Sequence, residues 1–375
     1  MNGAQHILEA FHRHNINTVF GYPGGCIMPL YDALVDDVGV EHVLCRHEQA
    51  CALSADGYAR ASGEIGVCIA TSGPGATNLI TGVANAYMDS IPMLVITGQV
   101  ATSMIGTDAF QETDILGMTL GIVKHSYLVD DAEALPVIIE EAVQLAQSGR
   151  PGPVWIDIPK DVLLTEVATA SPATTPTPDA HCPDITRALA MLRSARRPLL
   201  YSGGGVSLAQ AEDSFRAFAE TSGLPGVVTL KGIGNAGKHN PHNLGMLGMH
   251  GSRAANRAVD ECDLLLVVGA RLDDRATGKL EGFAPQGPAD PHRRGRLHRS
   301  PAAWRPRRAR GRAALVRRLV RPTRCEEPAY LVRVVRVLEP VAVAARRDLH
   351  DARAVADRRR AVVATRRVQG RRRVW

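Results

Sequence analysis

Short apolar runs that end in a turn and lead into a helical pattern are the feature that most limits how this chain can fold. The clearest run spans residues 66–70 and precedes the turn Gly73-Pro74-Gly75. Compact apolar runs of this kind predict buried strands, and runs at 18–20, 43–44, 93–98 and 154–158 extend the pattern. Strands that alternate with helices predict an α/β fold with doubly wound parallel sheets, covered by helices on both faces.

Charge is spread so unevenly that the two ends of the chain do not look like one protein. Residues 291–375 hold 26 arginines, no lysine and six acidic residues, a balance of +20, whereas residues 1–290 have a balance of −14. A stretch rich in Thr, Ala and Pro separates the first α/β pattern from a second one. We predict a first domain over 1–163, a linker over 164–183, a partial second domain over 184–286, and an irregular, disordered basic tail over 287–375.

Two glycine-rich turns with one acidic residue between them form the candidate catalytic centre. The turns contain Gly25 and Gly75, the acid is Glu48, and Asn78 follows where a helix is expected to begin. Glycine lets a ligand approach the main chain closely. Glu48 follows a run that we interpret as the end of a buried strand, which would favour the neutral carboxyl and suit proton exchange with a ring nitrogen. The alternative is an exposed or ion-paired acid.

These three motifs, in this order, resemble the N-terminal domain of thiamine diphosphate enzymes of the acetolactate synthase group. The resemblance implies that Gly25, Glu48, Gly75 and Asn78 contact the cofactor. It also implies that Glu48 bonds N1′ of the aminopyrimidine and promotes the imino tautomer, whose nitrogen takes the C2 proton. The fold it implies is a pyrimidine-binding domain followed by a central domain of the type that binds FAD.

The segment 105–112 is the most informative one for the substrate. Within the resembled family it is close to a signature of acetolactate synthases, which implies that Phe110 and Gln111 face the substrate pocket and that the Gln111 amide orients a 2-keto acid. Lys160 matches a lysine at the mouth of that pocket. The alternatives are that Gln111 caps a helix and that Lys160 is a solvated surface residue.

Arg150 lies in a glycine- and proline-rich turn before the last strand of the first domain. A planar guanidinium there suits a flavin or phosphate contact, and the resemblance implies a contact with FAD. Chemistry alone gives nearly equal weight to a cation at a helix C-terminus.

The second domain contains a strand that ends in three glycines, which alone is a weak indication of a dinucleotide site. The resemblance implies that FAD, with a structural role and no net redox change, is bound by Gly203, Gly204, Gly205, Thr229, Leu230, Leu247, Gly248, Met249, His250, Gly269, Ala270, Arg271, Asp273 and Arg275. Without the resemblance, His250 would be interpreted as an ordinary capping or surface histidine.

The resemblance ends abruptly after residue 285. The family continues with a buried strand, whereas this chain has Asp-Pro-His-Arg-Arg-Gly-Arg over residues 290–296. The codons GAT CCA CAT CGA CGT GGA CGN encode that stretch, and read from the second base they give Ile-His-Ile-Asp-Val-Asp. Arginine-rich text without lysine is typical of a GC-rich gene read out of frame. We therefore predict a frameshift near residues 286–290.

The family's third domain binds Mg²⁺ and the cofactor diphosphate through a Gly-Asp-Gly turn, which this chain does not contain. No residue is therefore assigned to a metal. In the family the active centre lies between two subunits, so we predict a homodimer or pairing with a full-length large subunit. The resemblance also implies 2-keto acid substrates and a possible small regulatory subunit. We expect impaired or absent activity from this chain alone.

Three other functions stay open from the sequence. One is another thiamine diphosphate carboligase or a pyruvate oxidase, and a second is a non-catalytic remnant that binds a partner subunit. The third, a nucleic-acid-binding arm made by the tail, is ranked last because it has few aromatic residues and no recognisable motif. Scattered cysteines, no signal pattern and no apolar run of membrane length favour a reduced, packed set of thiols in a cytoplasmic protein.

Overall fold

The computed structural model describes residues 1–168, 186–279 and 282–285, together with the backbone of 335–337. Contacts between Cα atoms divide the chain into two compact units, Met1–Thr177 and Pro178–Trp375. The predictions for residues 169–185 and for most of the basic tail lie outside the described residues.

The first unit contains helices on both faces of one sheet. Its helices are α1 (Gly3–Arg13), α2 (Met28–Asp36), α3 (Glu48–Ser62), α4 (Pro74–Asn78), α5 (Ile80–Asp89), α6 (Ile115–Thr119), α7 (Leu135–Gln147) and α8 (Lys160–Leu164). Its strands are β1 (Thr18–Gly21), β2 (Glu41–Leu44), β3 (Gly66–Ala70), β4 (Met93–Gln99), β5 (His125–Leu128) and β6 (Pro153–Pro159).

All six strands run parallel in the order β2-β1-β3-β4-β6-β5. Every residue of β3, β4 and β6 is buried, because apolar side chains on both faces of these strands are covered by helices. One core cluster includes Phe11 of α1 and Ile139 of α7, and the other includes Ala55 of α3 and Val83 of α5. The predicted doubly wound α/β architecture is confirmed.

The second unit repeats this plan on a smaller scale. Its helices are α9 (Thr186–Ser194), α10 (Gly205–Leu208), α11 (Glu212–Ser222), α12 (Arg253–Glu261) and α13 (Asp274–Thr277). Its strands are β7 (Pro198–Ser202), β8 (Gly226–Val228), β9 (Asn243–Met246), β10 (Leu264–Val268) and β11 (Val335–Val337), in the order β11-β10-β7-β8-β9. Strands β7 to β10 are parallel, and β11 pairs antiparallel with β10.

Several details differ from the sequence predictions. The run before Glu48 is not a buried strand, because β2 is an edge strand and its Leu44 is 61% exposed. Strand β5 was not predicted, since its sequence His-Ser-Tyr-Leu has no apolar run. Residues after α8 contact the N-terminus, since Glu166 bridges to Asn2 and Val167 N donates to the Met1 carbonyl.

Candidate functional site

Glu48 lies at the carboxyl edge of the first sheet, where the turns after β1 and β3 also lie. It is the first residue of α3, and the His47 ring before it caps the helix by accepting from Gln49 N at 3.1 Å. Glu48 Oε2 accepts from Asn78 Nδ2 at 2.9 Å. The half-buried carboxylate is therefore fixed at one oxygen by an amide from a different helix.

Gly75 lets the other carboxylate oxygen lie against the second glycine turn. A Cβ added to Gly75 would be 3.4 Å from Glu48 Oε1 and 2.8 Å from Thr71 Cγ2. Any larger residue there would fill the space in front of the carboxylate. The structure thus brings together Glu48, Gly75 and Asn78, which are 30 positions apart at most.

Thr71 connects the two glycine turns and was not singled out in the sequence. Its Oγ1 accepts from Cys26 N at 3.2 Å, so the turn that contains Gly25 is tied to the end of β3. A Cβ added to Gly25 would meet no atom within 4 Å, so the main chain there faces open space. The sequence offered one indication of the role of Thr71, which was its position directly after the fully buried strand β3.

Asn78 does not begin a helix as predicted. Helix α4 begins at Pro74, because Gly73 with φ +56° turns the chain immediately before the proline. Asn78 is the last residue of this helix. Proline is favoured at the first position of a helix, since its fixed φ matches and its missing N–H is not needed there. Placing Asn78 at the far end of this one-turn helix aims its amide at Glu48.

The 105–112 segment packs against the same glycine turn. A Cβ added to Gly73 would lie 2.6 Å from the Gln111 carbonyl oxygen and 3.0 Å from Gln111 Cα. Phe110 is 87% exposed and Gln111 is exposed, with φ +60°. Gln111 is not the cap of α6, since Asp114 fills that position by accepting from Gly117 N.

Lys160 is exposed and begins α8, directly after the carboxyl end of β6. Its neighbour Asp161 accepts from Thr102 N and from Thr102 Oγ1, which ties α8 to the turn after β4. Lys160 therefore lies at the same edge of the sheet as the 105–112 segment.

Arg150 makes the contacts of a helix C-terminal cation. Its Nε donates to Ser90 Oγ at 2.7 Å and one terminal nitrogen donates to the Tyr87 carbonyl at 3.3 Å, at the end of α5. The guanidinium also lies 5.8 Å from the Tyr87 ring centroid. Arg150 and Tyr87 line a cavity of about 420 Å³ together with Lys124 and the turn 148–151. The guanidinium therefore stabilises a helix end and also faces open space.

In the second unit, the glycine turn after β7 packs against the turn after β10. Gly203 N donates to the Val268 carbonyl and Gly205 N to the Gly269 carbonyl, so these two amides cannot also hold a phosphate. A Cβ on Gly203 would lie 2.5 Å from Ala270 Cα, and Gly269 has φ +59°. Gly204 adjoins Lys231, since a Cβ there would lie 2.8 Å from the lysine Cβ.

The remaining candidates of this unit lie on neighbouring turns. Thr229 caps a single 3-10 turn at 230–232, on which Leu230 is 70% exposed. Met249 N donates to the Arg275 carbonyl, and Gly248 with φ +97° lies against that same carbonyl. The other residues of this group are buried Leu247, exposed His250, Arg271 with its 3.3 Å ion pair to Asp273, and Asp273 itself, which caps α13.

The buried thiols near Glu48 belong to the core. Burial raises the pKa of Cys51 and of Cys68 far above the usual range, so neither is a thiolate at neutral pH. Burial likewise raises the pKa of the Tyr31 phenol. Across the described residues, no cluster of three or more His, Cys, Asp or Glu side chains could hold a metal ion. In the same part of the chain, none of the helices has the length and apolar character needed to cross a bilayer.

Comparison with known proteins matches both units to one family. Residues 1–118 match the family model described as the thiamine pyrophosphate enzyme N-terminal TPP-binding domain, and residues 185–290 match that of the central domain. The chain belongs to the thiamine pyrophosphate enzyme family.

Three of the curated relatives, all named acetolactate synthase, show the extent of the match. The isozyme 2 large subunit of Escherichia coli K12 is 57% identical over 287 residues, which cover 76% of this chain and 52% of the relative. The large subunit of Parasynechococcus marenigrum is 53% identical over 76% of this chain and 48% of the relative. The Mycobacterium bovis acetolactate synthase is 46% identical over 76% of this chain and 47% of the relative. The chain thus spans about half the length of the curated relatives it matches.

The residues around Glu48 fit the aminopyrimidine half of the family's cofactor. One carboxylate oxygen faces a glycine, the other is oriented by Asn78, and the main chain at Gly25 faces open space. In the second unit, exposed Leu230, Met249 and His250, with Arg271 and Arg275, offer apolar and cationic groups of the kind a flavin nucleotide needs.

Proposed function

We propose that this chain supplies the cofactor-activating half of an acetolactate synthase, which decarboxylates pyruvate and joins the product to a second 2-keto acid in branched-chain amino-acid synthesis. The observation that carries the proposal is the position of the Glu48 carboxylate, oriented by Asn78 and facing Gly75. The similarity to acetolactate synthase large subunits supports the choice among thiamine diphosphate enzymes.

Several candidate site residues of the first unit have separate roles in the proposed reaction. Bound thiamine diphosphate would supply a carbon acid that becomes a reactive carbanion. Glu48 would hold a proton at Oε1 and exchange it with a ring nitrogen, and Asn78 would keep Oε2 in one orientation. The Gln111 amide would orient the keto acid, Phe110 would offer an apolar wall, and Lys160 would attract the carboxylate of an arriving substrate.

FAD would bind the second unit through the residues named above, with a structural role, and Arg150 is kept as a candidate FAD contact on the resemblance alone. The amides of Gly203 and Gly205 already donate to main-chain carbonyls of the second unit. Arg271 and Arg275 would therefore supply the contacts to phosphate. We assign Mg²⁺ and the cofactor diphosphate to a third domain that would be provided by a partner subunit. A homodimer, a full-length large subunit and a small regulatory subunit are the proposed partners.

We also propose that the reading frame shifts near residues 286–290. The curated relatives match about 76% of this chain, and the central-domain match ends at residue 290. If the shifted frame replaces the diphosphate-binding domain, the chain would hold only half of the cofactor and would be impaired or inactive by itself.

A mixed assembly tests this function. The chain is combined with the Escherichia coli isozyme 2 large subunit, changed to glutamine at the glutamate that matches Glu48. We expect acetolactate from pyruvate in the mixture and none from either protein alone, because each would supply the half that the other lacks. Glu48→Gln in this chain is the matched control and should abolish the activity of the mixture. Acetolactate formation by this chain alone, or activity of the mixture that survives the control, would contradict the proposal.

A further inference from the structure

The 105–112 segment is held by few contacts of its own. Glu112 accepts from Gly106 N and from Ala109 N, the latter at 3.0 Å, so its carboxylate closes the segment on itself. Gly106, Asp108 and Gln111 have positive φ values, so the backbone is not a regular element there. The segment therefore needs contacts from outside to keep Phe110 and Gln111 in one position.

Gln99, the last residue of β4, provides such a contact. Its Nε2 donates to the Thr113 carbonyl at 3.0 Å and to Asp157 Oδ2 at 2.9 Å, and its side chain is buried. Its Oε1 accepts from Val100 N at 2.9 Å. The amide can adopt only this orientation, because the opposite one would place its oxygen against the Thr113 carbonyl and its NH2 group against Val100 N.

Asp157 on the neighbouring strand β6 fixes the Gln99 amide by accepting a hydrogen bond from it. This carboxyl is 1% exposed, and its Oδ1 accepts from Thr97 Oγ1 at 2.7 Å. Thr97 Oγ1 in turn accepts from Trp155 Nε1 at 2.8 Å, so the threonine proton is committed to Asp157. All side-chain groups of this network have partners, which is the condition under which a buried polar network specifies one arrangement.

A purely structural role does not explain why these positions are polar. Neighbouring positions on both strands, such as Val95, Ile96, Ile156 and Ile158, are buried and apolar. Burying a carboxyl among them costs stability, and apolar residues of similar volume are often as good or better. What the polar set adds is a directed bond to Thr113, one residue after the 105–112 segment.

We propose that Gln99 is a positioning residue that holds the 105–112 segment through Thr113, with Asp157 fixing the orientation of its amide. The inference rests on the proposed function for its link to the keto acid. Thr97 belongs to the same network but makes no bond to the segment, so it offers a matched control.

Hydrogen exchange on the full chain tests the inference without any turnover. Gln99→Met keeps the volume and removes the donor to Thr113. Thr97→Val removes the bond to Asp157 Oδ1 and leaves Asp157 Oδ2 bonded to Gln99. We expect Gln99→Met to speed exchange of amides 106–113 roughly tenfold, the factor for loss of about one hydrogen bond. Thr97→Val should leave those amides unchanged, although both variants lower the melting temperature. If both variants speed exchange everywhere in proportion to lost stability, the network is merely structural and the inference is wrong.

The mixed assembly separates this inference from the proposed function. Gln99→Met should raise KM for pyruvate with a smaller change in kcat, because a loosened segment weakens substrate orientation. Faster local exchange with an unchanged KM would support the positioning role of Gln99 and overturn the assignment of the segment to the substrate.

Discussion

At the residue scale, Gly73 meets two demands that only glycine satisfies. Its φ of +56° with ψ of −121° lies outside the regions that L side chains normally occupy, and its Cα faces the Gln111 backbone. The turn before α4 and the position of the 105–112 segment therefore depend on the same missing side chain.

Gly73→Ala should lower the free energy of unfolding by about 1–3 kcal/mol, through backbone strain and a clash with the Gln111 carbonyl. Gly57→Ala is the matched control, since Gly57 is exposed within α3 with no atom near its added Cβ, and it should raise stability by up to about 1 kcal/mol. Urea denaturation measures both. Equal effects of the two substitutions would contradict this account.

At the element scale, β4 and β6 are joined by a buried ionisable group as well as by their ladder. Thr97 and Asp157 are register partners, and their side chains are bonded to each other. Burial raises the pKa of Asp157 to about 7, although the bonds from Thr97 and Gln99 act to lower it, and Asp114 at the start of α6 raises it further. On the other side of β6, the register partner of Asp157 is Leu128 of β5.

The raised pKa of Asp157 predicts how stability depends on pH. The folded state holds this proton more tightly than the unfolded chain, so the contribution is full below about pH 4 and is lost as pH rises through about 7. The loss is up to about 4 kcal/mol for three pKa units. Asp157→Asn cannot ionise, so its unfolding free energy, measured in urea at pH 5 and pH 8, should fall less than that of the parent. The same fall in both proteins would exclude Asp157 as the cause.

At the scale of the whole molecule, charge and family similarity change at nearly the same place. The central-domain match extends to residue 290, and the excess of arginine begins at the next residues. A nucleic-acid-binding tail would account for the arginines alone, whereas the proposed shift of the reading frame would account for both changes together.

The nucleotide sequence around codon 287 tests the shifted frame directly. We expect the second reading frame to encode Ile-His-Ile-Asp-Val-Asp and then to continue into a domain that contains Gly-Asp-Gly. If no alternative frame restores these features, the frameshift hypothesis is wrong and the basic tail needs another explanation.

The sequence alone determined the architecture, because β3, β4 and β6 are largely apolar runs whose burial is a local property of their residues. It also located the two glycine turns, since glycine at a tight turn is a requirement of the backbone itself. Thr97, Gln99 and Asp157 could have been found as polar residues inside apolar runs.

Only the tertiary structure decided which side chains meet. Residues far apart in the chain meet in the bond from Asn78 to Glu48 and in the contact of Arg150 with the end of α5. The position of β2 at the edge of the sheet was likewise not evident from its residues. Such contacts depend on the order of strands in the sheet and on where each helix ends, and no local pattern of residues carries that information.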